Sequence, residues 1–237
     1  NVKFKIAQGG IHSIDSADIF IPKENEMILD VDIDSEYPKT ILLQKLYPAH
    51  LGIEWLEGYK QTFDKRIYAK QHRKENKTYE SINEALKLAL NGGGYGKTGE
   101  PNSWQHDPLV TTSVTINCQL LILMLCERFY YKNIEILSAN TDGITLRFEK
   151  DKLNDVREVV RLFTRETKYT FEENEYILYV RTSINDYLAV KSDNTIKVKG
   201  DWEIDKELHK NHSNRLRPIV LLKYFNKGIT FEKTVKN

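Results

Sequence analysis

At 237 residues the chain is long enough for one large or two small domains with a buried core. Lysine and arginine number 35 against 34 aspartates and glutamates, so a net charge of +1 excludes polyanion binding through a global field. The longest apolar run, Leu120 to Cys126, is too short to cross a bilayer, and no membrane partner is expected.

The chain opens on Asn1 with neither an initiator methionine nor a signal peptide, and is therefore expected to be a fragment of a longer polypeptide. The first informative element is acidic. Glu26, Asp30, Asp32, Asp34 and Glu36 stand together without an intervening base. Residues 27 to 34 alternate, and a strand's period of two sets Asp30, Asp32 and Asp34 on one face and Leu29, Val31 and Ile33 on the other. Three carboxylates on one face repel unless a cation offsets them. Alternate strand residues lie about 6.6–6.8 Å apart, whereas magnesium holds oxygens at about 2.0–2.1 Å. One strand therefore supplies one close ligand, and a second acid must come from elsewhere. The alternative is a solvated edge strand with scattered acids.

A basic segment follows. Trp55, Tyr59, Phe63 and Ile67 recur every four residues as the apolar stripe of a helix, and Arg66, Lys70, Arg73 and Lys77 share another face. Ser81 and Glu84 form a capping-box pattern that predicts the start of a second helix, on which Lys87 and Asn91 align. Two antiparallel helices presenting cations and an amide make a cradle for a polyphosphate. The second helix runs into Asn91-Gly92-Gly93-Gly94-Tyr95-Gly96-Lys97-Thr98. A nucleotide-hydrolase phosphate loop would need glycine where Asn91 stands and a preceding strand rather than a helix. The glycines are instead expected to end the helix and to allow close backbone approach.

Cys118 and Cys126 lie on one apolar helical stretch without a histidine cluster, as reduced core thiols of a cytosolic protein would. Two short apolar stretches, Ile134–Ala139 and Ile144–Phe148, are joined by Asn140-Thr141-Asp142-Gly143, a hairpin in which Asp-Gly supports the positive φ of a tight turn. Alone, Asp142 reads as a turn former. Beside an Asp-bearing strand it becomes the partner of Asp32, and two such acids can clamp a pair of metals for in-line phosphoryl transfer.

Together these segments resemble the polymerase module of family B DNA polymerases, especially phage and mobile-element members. "DIDSEYP" (Asp32 to Pro38) is similar to motif A, D-x-x-S-L-Y-P; Arg66 and Lys70 match the R-x-x-x-K of the fingers helix. "KLALNGGGYG" resembles motif B, K-x-x-x-N-S-x-Y-G, and "ANTDG" resembles motif C, D-T-D-S. The motifs stand in the family's order. Motif B carries an extra glycine before Tyr95, and motif C has Asn140 in place of its first aspartate.

The resemblance implies catalytic, metal-binding carboxylates at Asp32 and Asp142, with a backbone carbonyl of Val31 or Ile33 completing the set for two Mg2+ ions, or Mn2+. It implies a nucleotide site at Tyr37, Arg66, Lys70, Lys87 and Asn91, with Tyr37 sensing the sugar, and DNA contacts at Tyr95, Gly96, Tyr187, Lys197 and Lys199. The implied fold is α+β. A palm, an antiparallel sheet with packed helices, comes from residues 1–50 and 98–200; a helical-hairpin fingers insertion spans 51–97, and 201–237 begin a thumb. The implied partners are primer-template DNA and dNTPs, the longer chain would carry exonuclease and thumb regions, and the location would be the cytoplasm of a bacterial or phage-infected cell. Two other readings stay open: a two-metal 3′-5′ exonuclease using the D-x-E pair Asp34 and Glu36, and a non-catalytic nucleic-acid-binding remnant marked by Asn140.

Overall fold

The computed structural model describes residues 2–7, 9–203 and 216–236. Within the expected thumb segment, 201–237, residues 204–215 and 237 lie outside the described residues. The architecture is α+β. A two-stranded hairpin, β1 (Phe4–Ala7) and β2 (Gly10–Ser13), precedes an antiparallel sheet in the order β5 (Glu135–Asn140), β6 (Gly143–Glu149), β4 (Glu26–Ile33), β7 (Phe171–Ser183), β8 (Asp186–Lys191), β9 (Ile196–Lys199). The short strand β3 (Asp18–Phe20) also pairs with β7.

The alternation read from the sequence decides how β4 sits. Leu29, Val31 and Ile33 join the main core with Ile122, Leu125 and Phe129 of α5 (Pro108–Tyr131) and Val156, Val159 and Phe163 of α6 (Leu153–Thr167). Asp30 and Asp32 therefore face the opposite side. The edge-strand alternative fails, because β4 is hydrogen-bonded to β6 on one side and β7 on the other. Helix α5 is long and apolar enough, by length and composition, to cross a membrane. Its buried residues serve two cores, one under the sheet and one with α1 (Glu36–Leu43) and α2 (Gly52–His72).

Between residues 52 and 88 the chain leaves the sheet as α2 and α3 (Lys77–Leu88), joined by a short turn. Helix α3 starts earlier than the capping-box pattern predicts. Asn76 is its N-cap, accepting a hydrogen bond from the Thr78 backbone N–H at 2.9 Å, and Ser81 lies inside the helix with its hydroxyl on the Lys77 carbonyl.

Nor do the glycines end the helix. Ala89–Gly96 continue as wider π-helical turns before the single turn α4 (Lys97–Gly99). The close approach is to protein: a Cβ on Gly94 would collide with the Tyr59 ring, whose hydroxyl donates to the Leu90 carbonyl at 3.1 Å. The glycine admits α2 against this segment.

The β5–β6 turn also differs from expectation. No residue from Asn140 to Gly143 has a positive φ. Gly143 begins β6 opposite Asp32, and a Cβ there would run into the Asp32 carboxylate. Glycine is required by its cross-strand neighbour rather than by turn geometry.

The candidate active-site cleft

A cleft of about 950 Å³ opens between the exposed face of the sheet and the α2–α3 pair. Asp30, Asp32 and Asp142 lie along its floor; Arg66, Lys70, Arg73, Lys87 and Asn91 line its helical wall. Tyr37, Tyr95, Gly96, Tyr187, Lys197 and Lys199 complete most of the surface anticipated from the sequence. Lys74 and Lys77 do not line it.

Strand register brings the two acids together. Asp32 pairs across β4–β6 with Gly143, the residue after Asp142, and the Ile33 N–H donates to the Asp142 carbonyl at 2.6 Å. Burial pushes the Asp32 carboxyl up to about 7, reinforced by Asp30 and Asp142 and opposed by Lys197. Asp142 remains open to solvent on the cleft floor, yet surrounding protein displaces enough water to raise its carboxyl as well, against the pull of Lys199. Two crowded carboxylates held above their ordinary range are a donor set that a divalent cation would stabilise, and oxygen donors suit magnesium. Val31 and Ile33 are buried on the core side of β4, and among the described residues no cluster of three acid, histidine or cysteine side chains could hold a metal.

Asp30 belongs to a different network. Its carboxylate accepts from Thr145 Oγ1 at 2.9 Å, the Tyr176 hydroxyl at 2.5 Å and Lys197 Nζ at 3.0 Å. Lys197 also donates to Asp32 Oδ2 at 3.1 Å. Burial works against the lysine's charge, but Asp30 and then Asp32 hold it firmly protonated. Thr145 and Tyr176 carried no signal in the sequence; only the register that sets Thr145 opposite Asp30 reveals the first.

Asp34 and Glu36 do not form a pair. Asp34 bonds Lys70 at 2.5 Å and Lys39 at 3.2 Å; burial opposes its charge, yet these lysines bring its carboxyl down to about 2. Ser35, left-handed at φ 56°, turns the chain into α1, where Glu36 is buried. Neither Glu36 carboxylate oxygen has a hydrogen-bond partner, and burial followed by the nearby Asp142 raises its carboxyl well above the usual range.

On the helical wall, Arg66 Nη1 donates to Ser35 Oγ at 2.8 Å, and Lys70 bridges Asp34 and Glu172, the latter at 2.6 Å. Lys87 is exposed and Asn91 half-buried, both on the same cleft. The Tyr37 ring lies 4.7 Å from that of Tyr95, and its hydroxyl donates to the Gly9 carbonyl. Asn140 has its own structural duty: its side-chain oxygen accepts from the Thr141 N–H at 2.9 Å and lies 2.8 Å from His12 Nδ1, tying the turn to β2.

Among solved structures, the chain is similar to the family B DNA polymerase from the hyperthermophilic archaeon Pyrobaculum calidifontis, with a TM-score of 0.60 and 16% sequence identity. The match covers 100% of this chain but 34% of that one, so the chain spans about a third of the polymerase's length. No family model and no curated protein matches the sequence. At this identity the likeness is one of fold: a mixed α+β domain with a distant structural similarity to part of a DNA polymerase.

Proposed function

We propose that this chain is the nucleotidyl-transfer core of a template-directed DNA polymerase of the family B type, adding dNTPs to a primer 3′ end. The observation that carries the reading is the opposition across one cleft of Asp32 and Asp142 to Arg66, Lys70, Lys87 and Asn91. In it the β-sheet acts as palm and α2–α3 as fingers. Asp32 and Asp142 would hold two divalent cations, which when bound supply charge neutralisation at the reacting phosphate and lower the pKa of the primer hydroxyl. The helical cations and the Asn91 amide orient the triphosphate, so the protein's contribution is mostly positioning and electrostatics. Tyr37, braced by Tyr95 and the Gly9 carbonyl, presents a rigid ring on which the sugar rests.

The exonuclease reading loses its acid pair, since Asp34 is neutralised by two lysines and the Glu36 carboxylate is sealed from solvent. Asn140, the mark of decay on which the remnant reading rests, has a structural use in the turn, where its side-chain oxygen accepts from the Thr141 N–H.

The test is primer extension with labelled dNTPs, run beside 3′ degradation without them. Incorporation that falls a thousandfold or more in Asp32→Asn and Asp142→Asn is expected, since each removes several kcal/mol of transition-state stabilisation at about 1.4 kcal/mol per tenfold. Release of 3′ nucleotides without any incorporation by the unaltered chain would overturn the reading.

A further inference from the structure

Lys197 sits on β9, three strands from β4 in the sheet order. Strands spaced about 4.8 Å apart would place it about 14 Å from Asp32 in a flat sheet, beyond a lysine's reach. The contact exists because the sheet curls. The β7–β8 ladder shifts register between Tyr176 and Leu178 and again between Arg181 and Ser183, and such irregularities bend strands. The lysine's destination is equally specific. Thr145, Tyr176 and Lys197 all donate to Asp30, which is 5% exposed, and the ammonium then reaches Asp32 Oδ2.

We propose that Lys197, anchored by the buried Asp30, is a positioning residue that fixes the Asp32 carboxylate through Oδ2 and leaves Oδ1 for a divalent cation. This rests on the polymerase reading of Asp32, and it moves Lys197 from the DNA to the carboxylate floor. The arrangement has two consequences of opposite sign. A fixed ammonium beside Asp32 repels an incoming cation and so weakens metal binding. The same hydrogen bond holds the carboxylate in one orientation, which favours turnover, as outer partners of metal ligands generally do. Asp30 itself is held through both carboxylate oxygens by these three donors and is an anchor rather than a ligand.

The experiment titrates Mn2+ alone into the protein, read by electron paramagnetic resonance of the free ion, in the unaltered chain, Lys197→Met, Lys197→Arg and Asp32→Asn. Primer extension is measured on the same preparations. Lys197→Met is expected to bind Mn2+ about tenfold more tightly, because a like charge is removed at close range, while turnover falls about tenfold to a hundredfold. Lys197→Arg retains the charge and keeps Mn2+ affinity near that of the unaltered chain. General structural damage would weaken both binding and turnover, so the opposed pair of changes is diagnostic. Unchanged or weaker Mn2+ binding in Lys197→Met, with binding still dependent on Asp32, would overturn the role of the lysine alone. Equal binding by the unaltered chain and Asp32→Asn would overturn the metal role of Asp32 and this inference with it.

Discussion

The Asp32 carboxyl couples the candidate chemistry to stability, and the coupling has a sign that can be measured. In metal-free protein its carboxyl rises from 3.8 to about 7, chiefly through burial and then through Asp30. An acid whose pKa is higher in the folded state binds its proton more tightly there. Its contribution is therefore most favourable below the unfolded value near 4 and is lost as the pH rises from about 4 through about 7. A shift of about three units corresponds to at most about 4 kcal/mol at about 1.4 kcal/mol per unit. The side chain is 30% exposed, and solvent screening reduces the figure to roughly 2 kcal/mol. Asp32→Asn removes the ionisable group and keeps an acceptor for Lys197. At pH 8 in EDTA the variant is expected to melt roughly 4–8 °C higher, at about 2–4 °C per kcal/mol for a chain of this size. The gain should shrink towards pH 4, where the unaltered protein also carries its proton. Magnesium should then raise the melting temperature of the unaltered chain more than that of the variant, by selective binding to the folded state. A scanning-calorimetry series from pH 4 to 8 that shows the same difference at every pH, or none at pH 8, would refute the reasoning.

The cleft supports further expectations. Tyr37→Val, which removes the ring packed on Tyr95, should lower the ratio of kcat/KM for dNTP over rNTP, the quantity in which sugar discrimination resides. Alanine at Arg66, Lys70, Lys87 or Asn91 should raise the KM for dNTP about tenfold to a hundredfold with primer-template affinity unchanged, since charge-assisted phosphate contacts are each worth about 1.5–3 kcal/mol. Asp34→Asn should move KM the other way by releasing Lys70 from an acid that competes with the triphosphate, which steady-state kinetics will show directly. Gly143→Ala should cost about a hundredfold in turnover with circular dichroism preserved, because displacing a reacting group by about 1 Å costs that much and the new methyl occupies the place of the Asp32 carboxylate.

What could be read from the sequence follows from how local each interaction is. Period two assigned Asp30 and Asp32 to one face of β4 because a strand's geometry is fixed by neighbouring residues alone. A spacing of four likewise put Arg66 and Lys70 on one helix face, and both line the cleft. The Ser81 pattern misled because capping is decided by where the chain turns, and the turn at Arg73–Glu75 gave that role to Asn76. The glycines misled for a related reason. Gly94 and Gly143 look like breakers in one dimension, yet each is small because of a side chain far away in sequence, Tyr59 in one case and Asp32 in the other.

Asp34 and Glu36 make the same point from the chemical side. Two positions apart, they read as a metal-binding pair, and nothing in the local sequence says otherwise. Their fates diverge because Ser35 takes a left-handed conformation between them, sending one carboxylate to Lys70 on α2 and the other into the protein. Lys197 is the extreme case, since 165 residues separate it from Asp32 and the contact depends on the curl of the intervening strands. Register places an acid beside its neighbour on the next strand; only the shape of the whole sheet can place a lysine over it. An insertion or deletion in β8, which does not pair with β4, would therefore disturb Asp32 through Lys197 while leaving the pairings of Asp32 with Gly143 and Glu172 in place.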